Sequence, residues 1–159
     1  MRPTLRSTST RTFVAIPLAV TAEQIFRRRR VQVGWLPVLA IGYLQYRAAG
    51  AYRLPRAGGP PGMSQGMPER LVTDGPYAQT RNPMYLGHLL FLGGLTAATR
   101  SPLALTITVL LVPWFRERAR KDERRLIDRF GPDFEAYCRR VPRWLPGTTP
   151  RSAAGTHSG

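Results

Sequence analysis

The chain has 159 residues, 24 of them lysine or arginine against nine acidic side chains, for a formal net charge of +15, with one cysteine and two histidines. The length points to one domain. The lone Cys138 excludes an internal disulfide, no Cys/His cluster has zinc-site spacing, and His88 and His157 alone leave little room for hydrolase triads or metal chemistry.

Such a charge suits a nucleic-acid binder, but its distribution points away from one. Between Arg81 and Arg116 the only charged residue is Arg100. The mean hydropathy of −0.23 therefore averages long apolar runs with an arginine-rich C-terminal third. In chain order, residues 12–26 carry only Glu23 and follow Arg2, Arg6 and Arg11. They read as a signal peptide with Val20-Thr21-Ala22 before the cleavage point, as an arginine-rich transit peptide, or as an uncleaved first segment. Arg27–Arg30 argue against export and favour the uncleaved segment, which either spans a bilayer or lies in its interface. Residues 31–46 are uncharged and form a second candidate span. Residues 54–70 hold four prolines and four glycines and are predicted to be a long loop, either a lid or a passive linker.

Asp74-Gly75-Pro76 reads as a turn leading to Tyr77, followed by Arg81-Asn82-Pro83-Met84-Tyr85-Leu86-Gly87. Asn82-Pro83 and Ser101-Pro102 each place an N-cap residue before a proline at the first helical position. Residues 82–99 and 101–115 are thus predicted to be two antiparallel helices, with Gly94 and Ala98 as a small-residue packing face. A buried hairpin of a soluble bundle is the alternative. With four spans, 19 of the 24 basic residues fall on one side, the cytoplasmic side by the positive-inside rule. Arg27–Arg30 fall on the other.

Residues 113–130 read as a further helix closed by Gly131 and Pro132. Phe115, Ala119, Leu126 and Phe130 recur at helical spacing, and Asp122 and Glu123 fall in that apolar stripe rather than on the arginine face. Two inward carboxylates ask for a cation or hydrogen-bond donors. The plainer reading is a solvated helix with Glu117–Lys121 and Arg118–Asp122 pairs. Likewise Tyr77 and Tyr85 read either as ligand-facing rings beside Arg81 or as interfacial belt residues, and His88 as a packed polar residue.

Over residues 71–146 the order and spacing of Gly75-Pro76-Tyr77, Arg81-Asn82-Pro83-Met84-Tyr85-Leu86-Gly87, Asp122-Glu123-Arg124-Arg125-Leu126, Phe130-Gly131-Pro132-Asp133-Phe134, Tyr137 and Val141-Pro142-Arg143-Trp144-Leu145-Pro146 resemble the isoprenylcysteine carboxyl methyltransferase and phospholipid methyltransferase superfamily of integral membrane enzymes. The resemblance implies S-adenosylmethionine as methyl donor, a lipophilic acceptor entering from the bilayer, and cofactor-binding roles for Gly75, Pro76, Tyr77, Arg81, Asn82, Pro83, Tyr85, Gly87, His88, Asp122 and Glu123. It places Arg118 near the acceptor as the catalytic candidate. Asn82 stands where many members have histidine, which keeps the capping role and loses a titratable ring; Asp122 replaces a glutamate.

The expectation is an all-α polytopic membrane protein: about four short transmembrane helices, a C-terminal cytosolic amphipathic helix, a domain over 1–146 and a disordered tail over 147–159. It is expected in a bacterial cytoplasmic membrane with its site facing the cytoplasm, partnered by the lipid bilayer and a lipophilic small molecule, without metal or nucleic acid. The competing class is a non-enzymatic basic membrane protein that binds anionic lipid or nucleic acid.

Overall fold

The structure, a computed structural model, describes residues 7–58 and 67–145. The centre of the expected lid, His157 and the expected tail lie outside the described residues. Every regular element within them is helical: α1 (Thr8–Thr10), a π-helical turn (Arg11–Ala15), α2 (Ile16–Phe26), α3 (Leu36–Ala57), α4 (Pro83–Thr99), α5 (Pro102–Phe130) and α6 (Pro132–Arg140), with 3-10 turns at Val33–Trp35 and Gly75–Ala78.

Contacts between distant residues set the topology. Ser9 bonds the Tyr46 hydroxyl at 2.6 Å, while Glu23 accepts from Ser101 at the far end of the same helical run. Gln32 N donates to Ala98 O at 2.7 Å where α3 is about to begin. Asn82 meets Glu123 where α5 is near its end. The chain therefore runs out, back, out and back, and puts the start of α1 with the ends of α3 and α5 and the start of α4. That end carries Asp122 and Glu123; the other carries Glu23, Arg27–Arg30 and Arg100.

Several boundaries differ from the sequence reading. The second arm of the hairpin and the basic amphipathic helix are one helix, α5, with Pro113 inside it. Proline removes one N–H and crowds the carbonyl four residues back, and a long helix held by packing on both sides of that point tolerates both. Likewise α3 runs through Pro55 to Ala57, four residues into the expected loop. Its end is tied down by Glu69 N and Arg70 N, which both donate to Ala57 O, at 2.9 and 2.8 Å. Ser101 caps α5 as expected, accepting from Ala104 N at 3.0 Å, and Gly131 ends that helix with φ +48°. Asn82 does not cap α4 with its side chain; its amide is drawn to Glu123 instead.

The small-residue face of α4 packs on α3, not on its hairpin partner α5. A Cβ on Gly94 would lie 2.9 Å from Leu39 N, and one on Gly42 would lie 2.4 Å from Phe91 N and 2.8 Å from Gly87 O. Only glycine at 42 and 87 lets the two backbones touch. The α4–α5 contact is polar near the hairpin link, with Thr96 Oγ1 and Thr108 Oγ1 at 2.9 Å.

The interior is mostly apolar, with Val20, Leu92, Phe115 and Phe134 fully buried, yet it also holds polar side chains and the outer surface is rich in apolar ones. Thr12, Gln24, His88, Thr99 and Ser101 are buried between helices, while Leu18, Phe26, Ile41, Leu44, Leu105, Val109 and Leu110 are exposed on α2, α3 and α5. No helix among the described residues is long and apolar enough to cross a membrane.

Candidate functional site

The site forms where α4 begins, because the antiparallel pairing of α4 and α5 brings residue 82 opposite residue 123. Glu123 is 5% exposed, and a carboxylate so deep needs compensation. Asn82 Nδ2 donates to its Oε1 at 3.0 Å. Arg143 Nε donates to Oε1 and Oε2 at 3.1 and 3.0 Å, and Arg143 Nη2 to Oε2 at 2.6 Å. This forked contact holds the guanidinium above its ordinary pKa, chiefly through the hydrogen bond to Glu123. Arg81 Nε lies 3.7 Å from Glu123 Oε1, within ion-pair range but too far for a hydrogen bond.

Backbone pairing explains how Arg143 arrives. Arg81 N donates to Pro142 O at 2.9 Å, Thr80 Oγ1 to Arg143 O at 3.0 Å, and Asn82 Nδ2 to the same Arg143 carbonyl at 3.3 Å. The chain after α6 thus lies along residues 80–82. Below it, Phe134, Tyr137 and Val141 of the α6 region pack against Leu71, Leu126, Phe130 and Cys138. The Tyr137 hydroxyl donates to Tyr77 O at 2.7 Å. Burial pushes the Tyr77 phenol up to about 12 and raises those of Tyr137 and the Cys138 thiol, the last against the pull of Arg81.

Asp122 is equally buried and differently served. The Tyr85 hydroxyl donates to Oδ2 at 2.5 Å, and Arg125 Nη1 stands 3.9 Å from Oδ1. Oδ1 has no hydrogen-bond donor, and the buried Arg81 Nε has no acceptor. The half-buried Arg118 reaches the Tyr85 phenol from one turn earlier on α5. The expected Glu117–Lys121 and Arg118–Asp122 pairs are replaced by Glu117 with Arg120 and Arg124, and Asp122 with Arg125.

The structure therefore brings together Arg81, Asn82, Pro83, Tyr85, Arg118, Asp122 and Glu123. Gly75, with φ +56°, Pro76 and Tyr77 sit beside this cluster, on a turn held to α3 by the Tyr52 hydroxyl, which donates to Asp74 Oδ2 at 2.7 Å. Gly87 faces the Gly42 carbonyl and Tyr46. His88 lies deeper, its Nδ1 2.8 Å from Met84 O, ringed by Phe13, Tyr46 and Phe115 with centroids 4.8 to 5.2 Å away. Arg143 is the residue that reading single side chains missed; its signal was the Val141-Pro142-Arg143 motif. Tyr52 and Thr80 carried no signal.

A family model described as phospholipid methyltransferase matches residues 38–130, which covers α3, α4 and α5. A nickel-cobalt-cadmium resistance protein of Alcaligenes xylosoxydans xylosoxydans is 34% identical over 76 residues, 48% of this chain and 36% of that protein. A protein-S-isoprenylcysteine O-methyltransferase of Schizosaccharomyces pombe is 36% identical over 78 residues, 48% of this chain and 33% of that protein. The Mus musculus protein of the same name is 36% identical over 77 residues, covering 27% of its length. The alignments thus span about a third or less of the relatives' own length. No solved structure matches the chain.

Proposed function

The chain belongs to the phospholipid methyltransferase family, and from that premise we propose that it transfers a methyl group from S-adenosylmethionine to a lipophilic acceptor at a membrane surface. Besides the Gln24 amide and His88 Nε2, two charged groups among the described residues have unsatisfied buried atoms, and these carry the proposal: the acceptor Asp122 Oδ1 and the donor Arg81 Nε, side by side with Glu123. An amino acid presents an ammonium and a carboxylate, the complements of those two atoms, and the methionine portion of the cofactor is an amino acid. Burial makes each unmatched atom costly until a ligand meets it.

When bound, the cofactor supplies an electrophilic methyl carbon, which the acceptor's lone pair attacks as the carbon–sulfur bond breaks. Asp122, fixed by Tyr85, and Arg81, held near Glu123, orient the ligand. Glu123, Asn82 and Arg143 lock the start of α4 to the segment after α6, so that both walls of the site are preset. Positioning of this kind is the main need of an in-line displacement. Arg118 stands on the acceptor side of Tyr85, where a guanidinium suits an acceptor carboxylate by a two-pronged contact.

The many exposed apolar side chains of α2, α3 and α5, with polar groups held between helices, support a bundle embedded in lipid. The 17 residues of α4 rise about 25 Å, some 5 Å short of a typical hydrocarbon core, a mismatch that local thinning and snorkelling arginines absorb. The acid end then faces the cytoplasm with most of the basic residues. A purely electrostatic lipid or nucleic-acid binder gives no role to two acids buried on the inner face of α5.

The test is calorimetric titration of the detergent-solubilised chain with S-adenosylhomocysteine, followed by transfer of radiolabelled methyl groups to a total membrane lipid extract. Arg118→Lys is expected to lower transfer at unchanged cofactor affinity. Absence of S-adenosylhomocysteine binding would overturn the proposal.

A further inference from the structure

At the end of the bundle opposite the acids, Arg27–Arg30 follow α2 as four consecutive exposed arginines. Arg29 Nη1 donates to Arg100 O at 3.1 Å, which draws the link between α4 and α5 into the same patch. Arg27 is paired with Glu23 at 3.1 Å, whereas Arg28, Arg30 and Arg100 have no acidic partner among the described residues. Their surroundings are apolar and open: Phe26 is 89% exposed, and Ile25, Val31, Val33 and Trp35 are exposed as well.

Two of these arginines stand at strained backbone positions. Arg28 has φ +50° and Arg100 φ +47°, the only non-glycine residues with positive φ among those described. Glycine or asparagine is favoured there. Both close a helix, Arg100 as the left-handed cap of α4 and Arg28 just after α2, and an arginine in such a turn forgoes the preference for glycine while turning its guanidinium outward with its neighbours.

We propose that Arg28, Arg30 and Arg100 form a binding site for the phosphate groups of anionic phospholipids, with Phe26, Val33 and Trp35 reaching toward the acyl chains. Arginine matches phosphate geometry with paired donors. Aromatic and aliphatic side chains next to such a cluster suit the boundary between headgroups and hydrocarbon. The exposed leucine and valine surface of α5 and α3 continues up to this patch, so lipid is the phosphate source the surroundings favour. The site also offsets the arginine run that the charge bias leaves on the outer side. The inference rests on the membrane-embedded reading, and not on methyl transfer.

Incorporation of the full chain into phosphatidylcholine nanodiscs tests the membrane reading separately. The site itself is tested by incubating the detergent-purified chain with equimolar phosphatidylglycerol and phosphatidylcholine and counting retained lipids by native mass spectrometry. The wild type is expected to retain phosphatidylglycerol in roughly tenfold preference. Arg28→Gly/Arg30→Gln/Arg100→Gly should reduce that to under about twofold, since the glycines suit their backbone positions and spare the fold. Arg30→Gln alone should lower the preference partway. Arg129→Gln/Arg139→Gln/Arg140→Gln, which removes the same charge from the other end, should retain it. Loss of the preference in both triple variants, no preference in the wild type, release of the lipid by an equal concentration of inorganic phosphate, or failure to enter nanodiscs would each overturn the proposal.

Discussion

Each end of the bundle holds a glutamate, Glu123 buried and Glu23 half-buried, and the two are stabilised in different ways. Glu23 is met by Ser101 and by Arg27 four residues later on its own chain segment. Glu123 is met by Asn82 and Arg143, which are 41 and 20 residues away. The first arrangement joins α2 to the cap of α5 through Ser101, 78 residues away, and adds one local ion pair. The second ties three separate segments together and still leaves Asp122 Oδ1 and Arg81 Nε unmatched beside it. Unmatched polar atoms occur at both ends, the Gln24 amide near Glu23 and Asp122 Oδ1 with Arg81 Nε near Glu123, but among the described residues only the second set pairs an anionic acceptor with a cationic donor.

The largest expected effect is that of Glu123→Gln. Removing one partner of a buried pair leaves Arg143 and Arg81 without their shared anion, so the chain should lose about 3 kcal/mol or more against denaturant. Glu23→Gln keeps an acceptor for Ser101 and loses an ion pair whose arginine is half exposed, so it should lose under about 1 kcal/mol. Equal losses would erase the distinction between the ends.

Asp122→Asn sharpens it. Asparagine still accepts from Tyr85, so denaturation should change little, while S-adenosylhomocysteine affinity measured by calorimetry should fall by roughly 1.5 to 3 kcal/mol. A variant that unfolds without losing affinity would make Asp122 structural, like Glu23.

Between the ends, Gly42→Ala should cost about 1 to 3 kcal/mol by forcing α3 from α4. Gly93→Ala, where a Cβ meets nothing within 4 Å, should be neutral or stabilising by about 0.5 kcal/mol. Thermal melts of both variants in one detergent check this.

The last effect is alkaline. Tyr77 holds its proton more tightly folded, at about 12, than unfolded at its ordinary value of 10.0. Its contribution is therefore complete below pH 10 and declines as pH rises toward 12, by up to about 2 kcal/mol. Melting points at pH 9 and 11 should fall less steeply in Tyr77→Phe than in the wild type.

Much of this organisation was legible in the residues themselves. Helix-period apolar runs, the caps at Ser101 and Gly131, and the inward stripe of Phe115, Ala119, Asp122 and Glu123 are consequences of local spacing, and local geometry sets them. Spacing alone could not say that Pro113 and Pro55 sit inside helices, because a missing hydrogen bond ends a helix only when packing fails to hold it. It could not say which helix Gly94 would face, since a glycine marks a close approach without naming the partner. Most of all, Asn82 read as a cap and became a donor to Glu123, and Glu123, read as a ligand group, also anchors Arg143. Both roles depend on residues 41 and 20 positions away, which only the packing of α4, α5 and the segment after α6 brings within hydrogen-bond reach.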